Sequence, residues 1–376
     1  MSSFPQDDLL LTPLHDIHLD SGARLVPFGG WDMPLQYIGI LAEARAVRSA
    51  CGIFDVSHMG RLIVEGADSI SLLENLLTPR ISNLAPGQSR YGFVLNDDAG
   101  IIDDILVSNL QKTKEDGPSF LIVCNASTRE IVRTWLGSWM NFYTEIKLSD
   151  ITFDTAMIAV QGPKAASLID KAFSFQASTL RPFRFSDHRP SIVSSQNQFT
   201  LSISRTGYTG EDGFEIICPA YSASVVWNCL TSHGALPCGL GARDALRLEA
   251  GLMLSGVDIN ESTTPLEAQL DKFLHLEKSF VGREALANQQ ARGLSRKLVG
   301  FRLTDKGIAR HGYSIYSGSI EVGAVTSGGF SISLDTSIGL GYVSVEHSGI
   351  GTALSIDIRG RLVPAEITGT PFYRKN

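Results

Sequence analysis

The sequence has no long apolar run, no paired cysteines and no excess of positive charge. Its apolar stretches stay well below the roughly 18 residues that suggest a membrane-spanning helix, so contact with a membrane is not predicted. An odd number of cysteines without a C-x-x-C pair argues against a disulfide framework and against a thiolate metal site. The thiols are therefore expected to be buried and reduced, at Cys51, Cys124, Cys218, Cys229 and Cys238.

Signatures of metal and nucleotide binding are also missing. His15 and His18 are three residues apart without a third ligand nearby, and His58 stands alone, so no metal site is predicted. Neither a G-x-S-x-G nucleophile motif nor a P-loop is present. The segment GLGARD at 239–244 lacks the third glycine of a dinucleotide-binding fingerprint.

The net charge of −7 disfavours nucleic acid as a partner, because a phosphate backbone normally needs a basic face. The charge is uneven: from Lys272 onward there are 13 Lys and Arg against 8 Asp and Glu, and before it 19 against 31. This predicts a C-terminal surface for an acidic partner, with ordinary scatter of surface charge as the alternative. Two aspartates and no basic residue precede the first apolar patch, so we expect a cytoplasmic protein.

A chain of 376 residues is expected to fold as two or three domains. Apolar residues recur at helical spacing over 40–50, and Asp68 is predicted to cap a helix over SISLLENLL. Two helices among four strands in this region suggest a ferredoxin-like α+β unit. After Gly293 the pattern changes to six short strands separated by Gly and Ser turns, which indicates a small all-β barrel or sandwich.

Two adjacent acids lie in the apolar segment IIDDILV at 101–107. Alternation along a strand places Asp103 with Ile101 and Ile105 on one face, and Asp104 with Ile102 and Leu106 on the other. Both faces are predicted to be buried, and a buried carboxylate is costly unless it is paired or functional. Since the two cannot face one cleft, at most one of them is expected to be catalytic.

Glu215 is another carboxylate whose burial would cost free energy, because it lies between Phe214 and Ile216 after the turn in RTGYTGEDGFEI. A carboxylate accepts two parallel hydrogen bonds from an N–H edge shaped like guanidine, and the pterin ring of folate has such an edge. Tyr208 is placed to stack on that ring, although a structural role is the alternative. Arg243 lies in the first turn of a predicted helix, where its charge opposes the helix dipole, so it is either a surface residue or the partner of an anion.

A series of segments in register along nearly the whole chain resembles the glycine cleavage T-protein family, the aminomethyltransferases. No single segment is decisive, but together they are highly specific. They include TPLHDIHLDSGARLVPFGGWDMPLQY, CGIFDVSHMG, AGIIDDIL, VCNAS, AVQGP, RTGYTGEDGFEI, GLGARDALRLEAGL, TTPLEAQL, FVGREAL, AVTSGGFSISL, GLGYV and PFYR.

The resemblance implies an α+β fold of three domains in a cloverleaf around a central folate channel. It predicts a folate-binding region over 1–288, made of two subdomains of which one covers roughly 56–150. A C-terminal β-barrel would cover 293–376. One departure is visible, because many relatives have Gly-Gly where this chain has Ala99-Gly100, and only that turn is affected.

The resemblance also implies roles for individual residues. The family's catalytic aspartate matches Asp104, and Asp103 would be structural. The family's pterin-binding glutamate matches Glu215 and its folate-contacting arginine matches Arg243. The remaining positions expected at the folate site are Tyr373, Tyr208, Tyr91, Asn125, Met59 and Arg310, the last reaching it from the third domain.

The implied reaction moves the methylene carbon of a lipoyl-bound aminomethyl group to tetrahydrofolate, with no metal. The implied partner is the lipoylated H-protein, docked on the basic C-terminal portion. Two relatives are alternatives: a folate-dependent demethylase, usually fused to a flavin domain, and a non-transferase folate-binding protein with a K-G-C-Y-x-G-Q-E motif. This chain reads KSFVGRE at 278–284, without that cysteine.

Overall fold

The computed structural model of the chain describes residues 9–111, 117–192 and 198–375. None of the helices in these ranges is long and apolar enough to cross a membrane. The helices are α1 His15–Asp20, α2 Ile40–Ser49, α3 Ser69–Leu76, α4 Arg129–Met140, α5 Ala165–Phe173, α6 Ala223–Ser232, α7 Leu240–Glu249 and α8 Arg283–Arg292. The strands are β1 Arg24–Phe28, β2 Trp31–Gln36, β3 Gly52–Asp55, β4 Gly60–Glu65, β5 Ser89–Leu95, β6 Ile101–Asn109, β7 Ser119–Cys124, β8 Lys147–Asp150, β9 Thr155–Gln161, β10 Phe185–His188, β11 Leu201–Ser204, β12 Gly213–Pro219, β13 Leu236–Pro237, β14 Arg296–Leu303, β15 Ser314–Ser317, β16 Ile320–Ser331, β17 Thr336–Ser344, β18 Ala353–Ile358 and β19 Arg361–Thr368.

The predicted ferredoxin-like unit is an antiparallel sheet of five strands in the order β5-β6-β7-β4-β8, with α3 and α4 packed on one face. Its first strand, β4, lies inside the sheet. The sequence analysis predicted four strands and missed the short edge strand β8. Asp68 is the N-cap residue of α3, as predicted, but its carboxylate makes no hydrogen bond to the helix and instead accepts hydrogen bonds from the backbone of Thr144 and Glu145. The acid therefore ties the start of α3 to the segment before β8.

A second sheet has the strand order β10-β11-β12-β9-β3-β13. Its strand β3 precedes the five-stranded sheet in the chain and the others follow it, so the second unit is discontinuous. One face of this sheet packs on α5 and α6, and the other packs on the open face of the five-stranded sheet. The apolar layer between the two sheets includes Leu106 of β6, Met157 of β9 and Ile217 of β12.

The C-terminal strands form a closed six-stranded barrel in the order β14-β17-β16-β15-β18-β19, which confirms the predicted all-β unit. Closure leaves no unpaired sheet edge. Its core contains Phe301, Ile315 and Ile356, all fully buried. Helix α7 packs against β16 and β17 on the outside of the barrel and against β2 and α2 on its other side, so it lies between the barrel and the rest of the chain.

The turn over 96–100 leads directly into the strand that carries the two acids. Ala99 is buried and adopts a left-handed backbone with φ of 65°, a conformation that glycine adopts without steric cost. Gly100 has no room for a side chain, since a Cβ built there would lie 1.8 Å from the carbonyl oxygen of Glu261. The next residue, Ile101, donates its N–H to the carbonyl oxygens of Asn260 and Thr263.

We expect Gly100→Ala to destabilise the protein and Ala99→Gly to be tolerated. The added Cβ at 100 must displace backbone, and overpacking typically costs about 1–3 kcal/mol. At 99, relief of the left-handed strain is offset by the roughly 0.5–1 kcal/mol that glycine costs in chain entropy. Urea unfolding of both variants measures the difference. Equal free energies of unfolding would contradict this account of the turn.

Candidate active site

Asp103 and Asp104 lie on β6 beyond the end of its pairing with β7. Leu106 is paired with Val123, so continuation of the register places Asp104 opposite Asn125, the residue that follows β7. Asp103 is fully buried and Asp104 is partly buried. Asp104 therefore retains access to the space between the two sheets, whereas Asp103 does not.

The predicted alternation is interrupted at Ile102. Asp103 pairs with Val94 and Ile101 pairs with Leu95, so Ile102 is the extra residue of a β-bulge. The expectation that Ile102 shares a face with Asp104 is wrong: its side chain joins Ile105 in the core beneath α3 and α4. The bulge precedes both acids, whose carboxylates nevertheless lie close enough to share one hydrogen-bond donor.

Asn125 is the residue on which the two carboxylates converge. Its side-chain nitrogen donates to Oδ1 of Asp103 and to Oδ1 of Asp104, each at 2.8 Å. Its backbone N–H donates to Oδ2 of Asp103 at 2.9 Å. A single residue therefore fixes the separation and orientation of the pair.

Tyr91 of β5 supplies another donor to Asp104. Its hydroxyl donates to Oδ2 of Asp104 at 3.0 Å. Burial and the nearby Asp104 charge raise the pKa of Tyr91 well above its ordinary value, so the hydroxyl keeps its proton. Phe273 packs edge-on against the Tyr91 ring, with centroids 4.7 Å apart, and holds the ring in place.

Burial disfavours the ionised forms of both acids. It raises the pKa of Asp103 to about 7, with the Asp104 charge adding to the effect and the hydrogen bonds from Asn125 opposing it. The pKa of Asp104 is also raised by burial, against the hydrogen bonds from Tyr91 and Asn125. The pair is therefore poised to exchange a proton near neutral pH.

Arg243 and Tyr208 lie together on the side of the second sheet. The guanidinium carbon of Arg243 is 4.6 Å from the centroid of the Tyr208 ring. The buried Nη1 of Arg243 has no hydrogen-bond partner, which is costly for a cationic group. The Tyr208 hydroxyl donates to the carbonyl oxygen of Met253, so its ring is anchored from both sides.

Glu215 faces the same layer as Asp104. It lies two residues from Ile217 on β12, as Asp104 lies two residues from Leu106 on β6, and a small cavity between the sheets is lined by Glu215, Leu106 and Ile217. The Thr206 hydroxyl donates to Oε2 of Glu215 at 2.5 Å. The negative charge of Glu215 favours the charged form of Arg243, so the two side chains lie near each other.

The remaining predicted site residues divide into two groups. Met59 packs in the apolar layer with Leu106 and Met157, next to the Glu215 cavity. Tyr373 packs on α2, with the guanidinium carbon of Arg48 4.0 Å from its ring centroid. Arg310 is exposed on the barrel, and its guanidinium lies 3.5 Å from the carbonyl oxygen of Gly328. The described contacts link Asp104, Tyr91, Asn125, Tyr208, Arg243, Glu215 and Met59 to one another, whereas Tyr373 and Arg310 contact Arg48 and Gly328.

The sequence analysis missed Ser255 and Thr206. Ser255 donates a hydrogen bond to Oδ1 of Asp103 at 3.0 Å from 152 residues away in the chain. Thr206 donates to Glu215, but in the sequence it looks like an ordinary turn residue two positions before Tyr208. No sequence pattern distinguishes either hydroxyl.

In the described ranges, no group of three or more His, Cys, Asp or Glu side chains is arranged to hold a metal ion.

The acid pair predicts a specific dependence of stability on pH. Unfolded carboxylates ionise near pH 4, whereas native Asp103 has a raised pKa of about 7, so between these values the folded state holds an extra proton. The free energy of unfolding contributed by this group therefore falls as pH rises across that range, by at most about 1.4 kcal/mol per pH unit.

We expect Asp103→Asn to remove this slope in denaturant titrations between pH 5 and 8. Asp98→Asn, at an exposed acid in the preceding turn, is the matched control and should keep it. If all three proteins show the same slope, the raised pKa of the pair is contradicted.

Two family models match the chain and together cover most of it. The GCVT N-terminal domain matches residues 14–278, and the glycine cleavage T-protein C-terminal barrel domain matches residues 296–374. The second match coincides with the observed barrel.

Known proteins similar to the chain match it over nearly its full length. Aminomethyltransferases from Thermosynechococcus vestitus and Geobacillus thermodenitrificans are 43% and 42% identical to it, over 97% of this chain and 95% and 98% of theirs. The crystal structure of glycine cleavage system aminomethyltransferase T from Bartonella henselae superposes with a TM-score of 0.88 at 34% identity. That comparison covers 97% of this chain and 98% of the other.

Proposed function

The chain belongs to the glycine cleavage T-protein family, and from that premise we propose that its aminomethyltransferase reaction takes place at the Asp103–Asp104 pair. The reaction transfers the methylene carbon of the carrier-bound aminomethyl group to tetrahydrofolate. Its products are 5,10-methylenetetrahydrofolate, ammonia and the dihydrolipoyl carrier. The observation that supports this location most directly is the convergence of Asp104, Tyr91 and Asn125 beside the cavity that Glu215 lines.

The residues present fit tetrahydrofolate. Glu215 has one carboxylate oxygen engaged by Thr206 and keeps acceptor capacity for the N–H edge of a pterin. The unpartnered Nη1 of Arg243 offers a cationic donor to an electronegative group of the ligand. Around them, Leu106, Met157 and Ile217 form the apolar wall of the small cavity beside Glu215. Tetrahydrofolate supplies the two nitrogens that take up the one-carbon unit.

Asp104 is the proposed catalytic residue. Its carboxylate is partly buried and is oriented by Tyr91 and Asn125. Cationic character develops at the transferred carbon and the nitrogens around it, and a fixed negative charge in a poorly solvated space stabilises it strongly. Asp104 thus orients the reactants and stabilises charge, and its raised pKa also suits it to hold a proton for part of the cycle.

The direct test measures release of ammonia and methylenetetrahydrofolate from an aminomethylated carrier, with and without tetrahydrofolate. We expect Asp104→Asn, which keeps the shape and removes the charge, to lower turnover by 10²-fold or more. Turnover within about threefold of the parent would rule out Asp104 as the catalytic carboxylate. Asp98→Asn, an exposed acid in the turn before β6, serves as the control.

The proposed partner is the lipoylated H-protein, docked on the basic side of the barrel. Lys306, Arg359 and Arg361 are exposed there, and the Arg361 guanidinium donates to the carbonyl oxygen of Lys306, which keeps these cations close together. An acidic carrier would be attracted to them, and such attraction acts mainly on the rate of encounter.

Carrier-dependent turnover should fall as salt is added, because screening shortens the reach of exposed charges. We expect Lys306→Glu together with Arg361→Glu to raise the KM for the carrier without changing the KM for tetrahydrofolate. Lys171→Glu, an exposed lysine on α5 remote from the barrel in sequence, is the control. If the carrier-dependent turnover of the parent protein did not change with salt concentration, the proposed docking surface would be rejected.

The two alternative functions have less support. The curated relatives that match the full chain are named aminomethyltransferases. The segment at 278–284 lacks the cysteine of the non-transferase relatives. In this structure Lys278 instead donates to the carbonyl oxygens of Glu74 and Leu77 and so satisfies the end of α3.

A further inference from the structure

We propose that Ser255 is a positioning residue of the reaction, through which the barrel controls the protonation of the acid pair. The inference rests on the proposed function, since it concerns how the same site is tuned. It starts from the segment 252–258, which follows α7 and reaches Asp103, Tyr208 and the barrel at once.

The first contact of this segment is with the acid pair. The Ser255 hydroxyl donates to Oδ1 of Asp103, the same oxygen that accepts from the Asn125 amide. The backbone N–H of Asn125 and the side chain of Thr128 also hydrogen-bond to Asp103. Such a set of donors favours the ionised carboxylate against the cost of burial.

The second contact is with the folate side of the site. The carbonyl oxygen of Met253 accepts the Tyr208 hydroxyl, and Arg243 lies over the Tyr208 ring. The 252–258 segment therefore contacts both the proposed folate-contacting residues and the acid pair, and a displacement of this segment would move both groups.

The third contact fastens the segment to the barrel. Asp258, which is fully buried, accepts from Arg247 of α7 at 2.6 Å and from the Thr326 hydroxyl of β16 at 2.5 Å. The Arg247 guanidinium continues to Ser327 of β16, and the Tyr342 hydroxyl of β17 donates to the backbone carbonyl oxygen of Asp258. Fully paired buried charges of this kind hold one arrangement and are costly to break.

The groups that face Asp103 come from several elements. Asp104 and the Tyr91 hydroxyl lie on β6 and β5, and the Cys124 thiol lies at the end of β7. Asp104 is the charged group among the causes of the raised pKa of Asp103, and burial raises the pKa values of Tyr91 and Cys124 well above their ordinary ranges, so both stay neutral. Loss of the Ser255 donor therefore acts on the two carboxylates alone.

The sign of the effect follows from this arrangement. Ser255 stabilises ionised Asp103, so its removal raises the pKa at which the pair takes up a proton. A proton on the pair removes negative charge that stabilises the cationic carbon, so the rate falls on the acid side. A hydrogen bond to a charged group contributes about 1.5–3 kcal/mol, which corresponds to an upward shift of roughly one to two pH units.

The experiment compares pH profiles of turnover for the parent protein, Ser255→Ala and Ser255→Thr, with the full chain and aminomethylated carrier. We expect the acid limb of Ser255→Ala to lie at least one unit higher, with full turnover recovered above it, and Ser255→Thr to restore the parent profile. Ser262→Ala removes an exposed hydroxyl that bonds only within its own turn, to Asn260, and should leave the profile unchanged. Thr326→Val, which loosens Asp258 from the barrel, should shift the limb in the same direction.

An unshifted acid limb in Ser255→Ala would overturn the inference, as would a loss of turnover that is equal at every pH. If Ser255→Ala moved the limb but Thr326→Val did not, the link to the barrel would be wrong. Absence of transferase activity in the parent protein would instead reject the proposed function, so the two failures are distinguishable.

Discussion

Two carboxylates on consecutive residues must share one poorly solvated space, and much of the site is arranged to make that tolerable. Repulsion between Asp103 and Asp104, together with their burial, opposes full ionisation, and donors from three parts of the chain compensate. Asn125 reaches both carboxylates, Tyr91 reaches one, and Ser255 reaches the other. Each donor comes from a different structural element, so the acid pair imposes a requirement on how β5, β7 and the 252–258 segment pack around β6.

The regular elements could be predicted from the sequence because their signals are local. The helical periodicity of 40–50 corresponds to α2, and the change of pattern after Gly293 corresponds to the barrel. The shared family segments predicted the fold class and the activity. Contacts link most of the proposed folate residues to one another, whereas Tyr373 packs on Arg48 and Arg310 lies on the barrel. Their roles at the folate site stay predictions.

What could not be predicted depends on contacts between distant residues. The bulge at Ile102 arises from the register between two strands, and strict alternation cannot show it. Ser255 acts across 152 residues, and Arg48 pairs with Glu249 across 201. The fully buried Glu43 is another case: it accepts the backbone N–H groups of Tyr37 and Ile38 before α2 and that of Gly239 before α7. Its sequence neighbours indicate only an exposed helical glutamate.

The segment that follows the barrel packs back on helices α2 and α7. Tyr373 packs over Arg48 of α2 and donates its backbone N–H to the carbonyl oxygen of Glu249 at the end of α7. Arg48 also binds the carbonyl oxygen of Thr209, next to Tyr208. Domains generally fold from the N-terminus as they are synthesised. This contact, however, needs a residue that follows the barrel, so the loop that bears Tyr208 reaches its final conformation only after the barrel strands have been synthesised.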